Sequence, residues 1–538
     1  MTLASNATPT ASETIPRFDR ISDYVSHWAV EKTDAIALRH GAQSQTYAEF
    51  SASVDRWARA MLAEGIAPGD RVSMLSTPRP EYFISFLAAA SIGAVWVGLN
   101  PKYTEAEIAR TLADAAPSLM IALHSFEGVD LTEGLVNAVH AAGISPALVV
   151  FGEEKSGFQS LDAFLSSGDG VSPKTLQQAR DKVSRDDPAL IVYTSGSTGV
   201  PKGAMLAHRG LCHGYPVQSA HFGLAGTSIL CNLPINHIGC VGDLSCGPLV
   251  AGGTLVFMER FDPQAILDAI KAREIDCLLG VPTILQIISE LPGFDAADFG
   301  HMRLVCWGGA AIPANVLARY RAKGCPLGLT YGMSELPGSI TMSAPGADDR
   351  ELTQTVGRPV DPLDVRLVKD DGTLCEIGEE GEVRLRHESA FLGYYNRETA
   401  TREAYDADGY FCTGDVGVMD PEGTIRLVGR KKEMFKSGGY NVYPREIEMV
   451  LESHPSVATA AVVSVPDATW QEIGWAFVLA PSTIDAAALQ GELAQLCREQ
   501  LANYKRPKRI VVRTELPMLP IGKVDKVCLK EKARAEAS

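Results

Sequence analysis

The sequence predicts a layered α/β protein: a large N-terminal domain of α/β subdomains carrying a small β-subdomain, followed by a small α+β C-terminal domain. Three observations lead there. From about Phe18 to Val428, helical stretches alternate with short β-branched runs at Arg71–Leu75, Ala147–Phe151, Ala189–Tyr193, Gly253–Phe257 and Met302–Cys306. Such alternation favours largely parallel strands joined by helices. From Gly357 to Val428 the character changes, with short strands such as Val365–Leu367 and Glu382–Leu385 separated by Asp-Gly or Gly-Glu turns, as in a small β-subdomain. After Gly429 come the cluster Arg430-Lys431-Lys432-Glu433 and the pair Gly438-Gly439. About a hundred residues follow, with a helix around Pro444–Ser453, a strand at Thr459–Val465 and a helix around Ala486–Leu501. The boundary is set near Lys432: a tail over 1–17, an N-terminal domain over 18–431 and a C-terminal domain over 432–538.

Composition narrows the function. The 538 residues hold 49 Lys+Arg against 65 Asp+Glu, a net charge of -16. Nucleic-acid binders need basic surplus to displace counterions, so general affinity for DNA, RNA or anionic lipid is excluded. The eleven cysteines are odd in number, begin only at Cys212 and include no C-x-x-C, which reads as reduced cytosolic thiols rather than a disulfide framework or zinc site. The first twenty residues lack an apolar core and contain Glu13, unlike a secretory signal or transit peptide. The uncharged run Tyr82 to Pro101 is broken by Ser85, Ser91, Gly93 and Gly98, and reads as a buried helix entering a buried strand, not a membrane span.

The strongest chemical signal is the segment Tyr193-Thr194-Ser195-Gly196-Ser197-Thr198-Gly199-Val200-Pro201-Lys202-Gly203, directly after an apolar strand. Glycines let successive N–H groups converge on one anion, while hydroxyls and Lys202 add donors and charge, as a polyphosphate requires. The order of a Walker A loop is absent. A flexible Gly/Ser linker is the alternative, and the buttressing strand with its Pro-Lys favours phosphate.

This segment resembles the phosphate loop of the adenylate-forming superfamily, which holds acyl-CoA synthetases, adenylation domains of peptide synthetases and beetle luciferases. Further stretches match in that family's order over roughly residues 20 to 530: Phe86–Pro101, Trp307-Gly308-Gly309-Ala310-Ala311, Thr330-Tyr331-Gly332-Met333-Ser334-Glu335, Tyr410–Asp415, Gly429–Glu448 and Pro517–Lys526. The motif usually written Y-G-x-T-E has Ser334 in place of Thr.

Each motif also has a physical reading. Tyr331 offers a flat face for adenine, and Gly308-Gly309 lets backbone approach a purine edge; a core tyrosine beside a turn is the bland alternative. Glu335 supplies a hard oxygen for Mg²⁺ and Ser334 a hydroxyl for the α-phosphate, where a helix cap is the plainer reading. Asp415 can accept both ribose hydroxyls or simply close an Asx-turn. The resemblance moves all three toward function, and implies that Thr194 to Gly199, Lys202, Gly309 to Ala311, Thr330 to Ser334, Asp415 and Arg430 contact ATP or AMP, with Thr198 beside Glu335 at the metal.

The resemblance also implies that Lys523 bridges the substrate carboxylate and the α-phosphate, that Lys432 is the hinge of a mobile C-terminal domain, and that Gly438 and Gly439 line a pantetheine tunnel. Trp470, Tyr504 and Arg506 fall where related chains contact the CoA nucleotide. His237 matches a position near the acyl carboxylate, although Asn236 departs from the common Phe and a lone buried His is ordinarily structural. The acyl pocket by analogy includes Asn236, His237, Trp307 and Gly332, with His213, Tyr215, Asp243 and Ser339 nearby. Trp307 is expected to shorten it.

The implied activity is ATP-dependent ligation of a carboxylic acid to CoA through an acyl-AMP, with Lys523, Glu335, His237 and Lys202 as the catalytic set. Ile238 stands where amino-acid-activating members carry Asp, and no G-G-x-S carrier segment follows, so free CoA is favoured over a carrier-protein thiol. A stand-alone enzyme loading a carrier, and a catalytically silent nucleotide-binding relative, are the alternatives; a homodimer stays open. From Arg430 to Ser538 the net charge is +3, leaving -19 for the preceding 429 residues, so the basic groups suited to ATP and CoA are concentrated in the small domain.

Overall fold

The computed structural model describes residues 15–537 apart from 154, 195–200, 438, 468 and 520–522. Two large sheets form the N-terminal body. One has eight strands, ordered Gly393–Tyr394, Lys202–Ala207, Pro188–Thr194, Val95–Leu99, Arg71–Leu75, Leu119–Leu123, Ala147–Phe151 and Gln159–Ser160, parallel from Pro188–Thr194 onward. The other has nine, whose five inner pairings, from Leu327–Met333 through Leu304–Gly308, Cys277–Gly280, Ser228–Cys231 and Thr254–Phe257 to Ile36–His40, are all parallel. Strand Leu304–Gly308 begins two residues later than the β-branched pattern implied.

The apolar run from Tyr82 is indeed a helix and a strand. Helix Pro80–Ser91 starts on a proline that forfeits only an N–H the first turn leaves unpaired, and Tyr82 through Ser91 are all buried. Gly93, at φ +83°, turns the chain into the fully buried strand Val95–Leu99. Tyr82 Oη stands 3.6 Å from Cys231 Sγ of the other sheet, so this helix lies in the seam between the sheets. At the strand's end, a Cβ on Gly98 would fall 2.5 Å from the Ile235 carbonyl oxygen. Only glycine lets the Ile235–His237 segment cross there.

The small β-subdomain is an antiparallel sheet of Asp364–Val368, Glu380–Arg386, Phe411–Met419 and Ile425–Arg430. The C-terminal sheet comprises Tyr440–Val442, Phe435–Ser437, Gln471–Leu479 and Thr459–Asp467, with Arg509–Arg513 added in parallel. Its strands are apolar on both faces because both are covered. Ala460 and Val462 pack with Ile447, Leu489 and Leu493 of two helices, while Ala461, Val463 and Val465 pack with Leu529 and Ala533 of helix Lys526–Ala537. Among the described residues no helix is long and apolar enough to cross a membrane.

Candidate active site

The phosphate-loop segment joins two antiparallel strands, Pro188–Thr194 and Lys202–Ala207, with Thr194 opposite Lys202. Ser195, Gly196, Ser197, Thr198 and Gly199 lie outside the described residues. Strand Gly393–Tyr394 pairs with the second of these strands. That pairing places the Tyr394 ring 5.0 Å from Lys202 Nζ, and Tyr394 Oη donates to Glu335 Oε1 at 2.7 Å. Burial, and then the Glu335 carboxylate, raise the Tyr394 phenol, so it stays a donor. Nothing local in the sequence marks Tyr394, because it reaches Glu335 across 59 residues and Lys202 across a sheet pairing. Glu335 is 8% exposed, and no described Lys or Arg pairs with it.

Thr330, Tyr331, Gly332 and Met333 end the strand Leu327–Met333, and Ser334 and Glu335 turn the chain into Leu336–Met342. Tyr331 Oη donates to Asp415 Oδ2 at 2.5 Å, and Arg430 Nε donates to Oδ1 at 2.9 Å. Asp415 is buried in strand Phe411–Met419, directly opposite Arg430. Burial and the Asp415 charge hold Tyr331 well above the usual phenol range, fixing the ring at its tip. Arg430 is therefore tied to the ribose-motif carboxylate. Each carboxylate oxygen keeps a second lone pair for a further donor.

Beside this triad the strand Leu304–Gly308 runs out into Gly309, Ala310 and Ala311. Gly309 has φ +79°, and a Cβ there would lie 3.5 Å from Lys523 Cε and 3.7 Å from Nζ. Lys523 comes from the small domain, and its carbonyl accepts from Leu519 N–H at 2.7 Å. Burial, and then the Arg430 charge, push its ammonium below the ordinary lysine value; Asp415 and Glu433 oppose them. Its base is anchored by Lys526, which pairs with Glu433 at 2.7 Å and Glu448 at 2.8 Å.

His237 is pushed down to about 4 by burial and then by Lys523, so it is a neutral imidazole at neutral pH. Its Nδ1 accepts from Gly239 N–H at 3.0 Å, which assigns the ring proton to Nε2. Asn236 Nδ2 donates to Tyr103 Oη at 2.7 Å, and its Oδ1 is buried without a partner.

Two expectations about the acyl pocket are corrected. Trp307 is 2% exposed and packs with Val305, Leu327 and Leu329 in the outer core, while Leu304 and Cys306 face the inner core with Tyr215, Cys240 and Val241. Side chains alternate along a strand, so Trp307 points away from the inner face and Cys306 toward it. Counting parity from the apolar neighbours would have found this. His213 likewise faces a different cavity, of about 690 Å³, with Arg17, Arg185 and Arg209, and its ring sits 4.3 Å from that of His387. Gly332 is exposed at its strand end.

On the small domain, Gly439 precedes Tyr440, whose ring stacks on Tyr504 at 4.5 Å. Trp470 lies next to Gln471, which pairs with Ser437, and Lys508 Nζ stands 4.8 Å from the Trp470 ring. The Arg506 guanidinium donates to the Leu501 and Arg498 carbonyls, capping helix Ala486–Gln500, and Lys508 is a cation over Trp470. Gly438 lies outside the described residues. Lys432 is exposed in the turn between Arg430 and strand Phe435–Ser437.

A family model described as AMP-binding enzyme matches residues 25–395, and one described as AMP-binding enzyme C-terminal domain matches 446–523. A feruloyl-CoA synthase from Amycolatopsis sp is 36% identical over 91% of this chain and 94% of its own. An indoleacetate–CoA ligase from Aromatoleum aromaticum is 33% identical over 94% and 96%. Among solved structures, ATP-bound MatB from Rhodopseudomonas palustris superposes with a TM-score of 0.80 at 28% identity, covering 96% of this chain and all, 100%, of that one.

Proposed function

The chain belongs to the AMP-binding enzyme family and is an acid–CoA ligase working through an acyl-AMP; on that premise we propose how its residues divide the work. In the first step a carboxylate oxygen attacks the α-phosphorus of ATP and pyrophosphate leaves. Lys523, held in the site against Gly309, offsets the charge that develops between carboxylate and α-phosphate. Tyr331 presents a ring to adenine, Asp415 accepts from the ribose, and Thr194, Lys202 and the loop between them hold the phosphates, with Thr330, Met333, Ser334, Gly309, Ala310 and Ala311 lining the nucleotide. Neutral His237 can donate from Nε2 to the acyl carboxylate without adding charge.

Mg²⁺ fits the donor set. It takes one or two carboxylates and completes its octahedron with phosphate oxygens and water. Glu335 offers a carboxylate with no cationic partner among the described residues, and Thr198 is the second donor the reading assigns. When bound, the ion would neutralise phosphate charge.

In the second step the thiol of CoA, losing its proton, attacks the acyl carbon and AMP leaves. The reading places the domain boundary near Lys432, on which the 432–538 domain turns so that Lys523 withdraws and Gly438 and Gly439 line the thiol's approach. Tyr504 and Trp470, with Lys508, would receive the CoA nucleotide. We infer a cytoplasmic setting from the cysteine usage of the sequence, eleven cysteines with no C-x-x-C pair.

The observation that carries the proposal is Lys523 seated in the N-terminal site. Lys523→Ala should abolish pyrophosphate exchange while leaving thioester formation from supplied acyl-adenylate comparatively intact. Equal loss of both steps would overturn the role.

A further inference from the structure

We propose that this ligase, read as above, selects a carboxylic acid whose far end carries a neutral hydrogen-bond donor, a phenolic O–H or ring N–H, which it seats on Asp243. Asp243 lies six residues after His237, in a π-helical turn over Gly239–Cys246. Such turns widen a helix locally and recur at functional sites. Its Oδ1 accepts from Gln218 Nε2 at 3.1 Å, and Gln218 Oε1 accepts from Ser339 Oγ at 3.2 Å. Gln218 and Ser339 are 4% and 6% exposed, so a polar chain runs through an otherwise apolar core.

Asp243 nevertheless retains accessible surface, while burial raises its carboxyl to about 7. Its neighbours Gly242 and Leu244 are buried, so Asp243 keeps that surface where the packing around the π-helical turn leaves room. The chain ties this position to the reacting end: Gly332, exposed at its strand end, abuts the Gly338 carbonyl, for a Cβ on Gly332 would fall 2.8 Å from it, and Gly338 precedes Ser339. Tyr215, Cys246 and Cys306 stand near enough for their charges to couple to that of Asp243.

No described Lys or Arg pairs with Asp243, and Gln218 is its hydrogen-bonding side-chain partner there. A plain alkyl tail would dry the carboxyl and satisfy nothing, whereas one O–H or N–H meets its free oxygen. An ammonium brings three donors, more than the free oxygen of Asp243 and the unpartnered Tyr215 hydroxyl beside it can accept. Sites built around one polar group reject analogues lacking it strongly.

The test is CoA-dependent AMP release on matched ω-aryl acids of three chain lengths, each with a phenyl, 4-hydroxyphenyl or 4-aminomethylphenyl end, using the full chain and its Asp243→Leu and Asp243→Asn variants. The wild type should prefer hydroxyphenyl to phenyl by about tenfold or more in kcat/KM at one length at least. Asp243→Leu should bring that ratio to unity or below, and Asp243→Asn, which keeps an acceptor, should retain part of it. A wild-type ratio under two at every length, preference for the aminomethyl end, or an unchanged ratio in Asp243→Leu would overturn the inference. Should Asp243→Leu fail to fold, the wild-type ratios and Asp243→Asn still decide. Absence of AMP release with every acid would instead overturn the ligase reading on which this rests.

Discussion

Lys523 of the small domain lies against Gly309 of the large one, with room for a β-carbon at 3.5 Å from Cε but a backbone φ of +79° that resists one. An alanine there is opposed by the left-handed conformation, at about 1–2 kcal/mol, rather than by the lysine. Gly309→Ala should therefore shift the loop and slow adenylation about tenfold. Thioester formation from supplied adenylate should be nearly unchanged, and single-turnover measurements of the two steps would show it.

Tyr331 and Arg430 both donate to Asp415. Tyr331→Phe removes one hydrogen bond to a charged group, worth about 1.5–3 kcal/mol, and loosens the carboxylate assigned to ribose. The KM for ATP should rise about tenfold while that for the carboxylic acid stays put. Parallel initial-rate titrations of the two substrates would separate these effects.

Trp307 is expected to matter for stability, not for acyl choice. Trp307→Ala should cost about 3–5 kcal/mol in urea unfolding and leave the ranking of acids unchanged. A changed ranking would return Trp307 to the pocket wall.

His208 is fully buried, accepts from Ile21 N–H at 3.2 Å, and is pushed down to about 4 by burial and then by Arg20. Its folded pKa lies below the ordinary 6.5, so between those values the unfolded chain binds the proton more tightly. Its contribution is thus fully present above pH 6.5 and falls away as pH drops toward 4. His213 and His237, both also near 4, act with the same sign. The urea midpoint should fall from pH 7 to pH 4.5, and less steeply in His208→Leu.

Local features of the chain were legible without coordinates. The buried helix and strand around Tyr82 to Leu99, the small β-subdomain after Gly357 and the strand at Thr459 are each set by apolar periodicity and turn residues within a few positions. So were the motifs that hold Tyr331, Asp415 and Lys523. Trp307 was misjudged because a motif gives position but not the face of the strand, which depends on what packs on either side. The hold of the helix-end carbonyls on Arg506 was not legible, because a basic residue beside a helix end is recruited by unpaired carbonyls, a contact visible only once the helix ends at Gln500.

The sequence by itself determined the layered architecture and the residues able to handle a polyphosphate, since both rest on short-range pattern and side-chain chemistry. Only the tertiary structure decided which groups work together. Tyr394 bridges Lys202 and Glu335, Arg430 locks Asp415, Lys523 crosses from one domain to Gly309 of the other, and Gln218 links Asp243 to Ser339. Each of these joins residues distant along the chain, and such contacts depend on sheet order and domain placement, which no local spacing encodes.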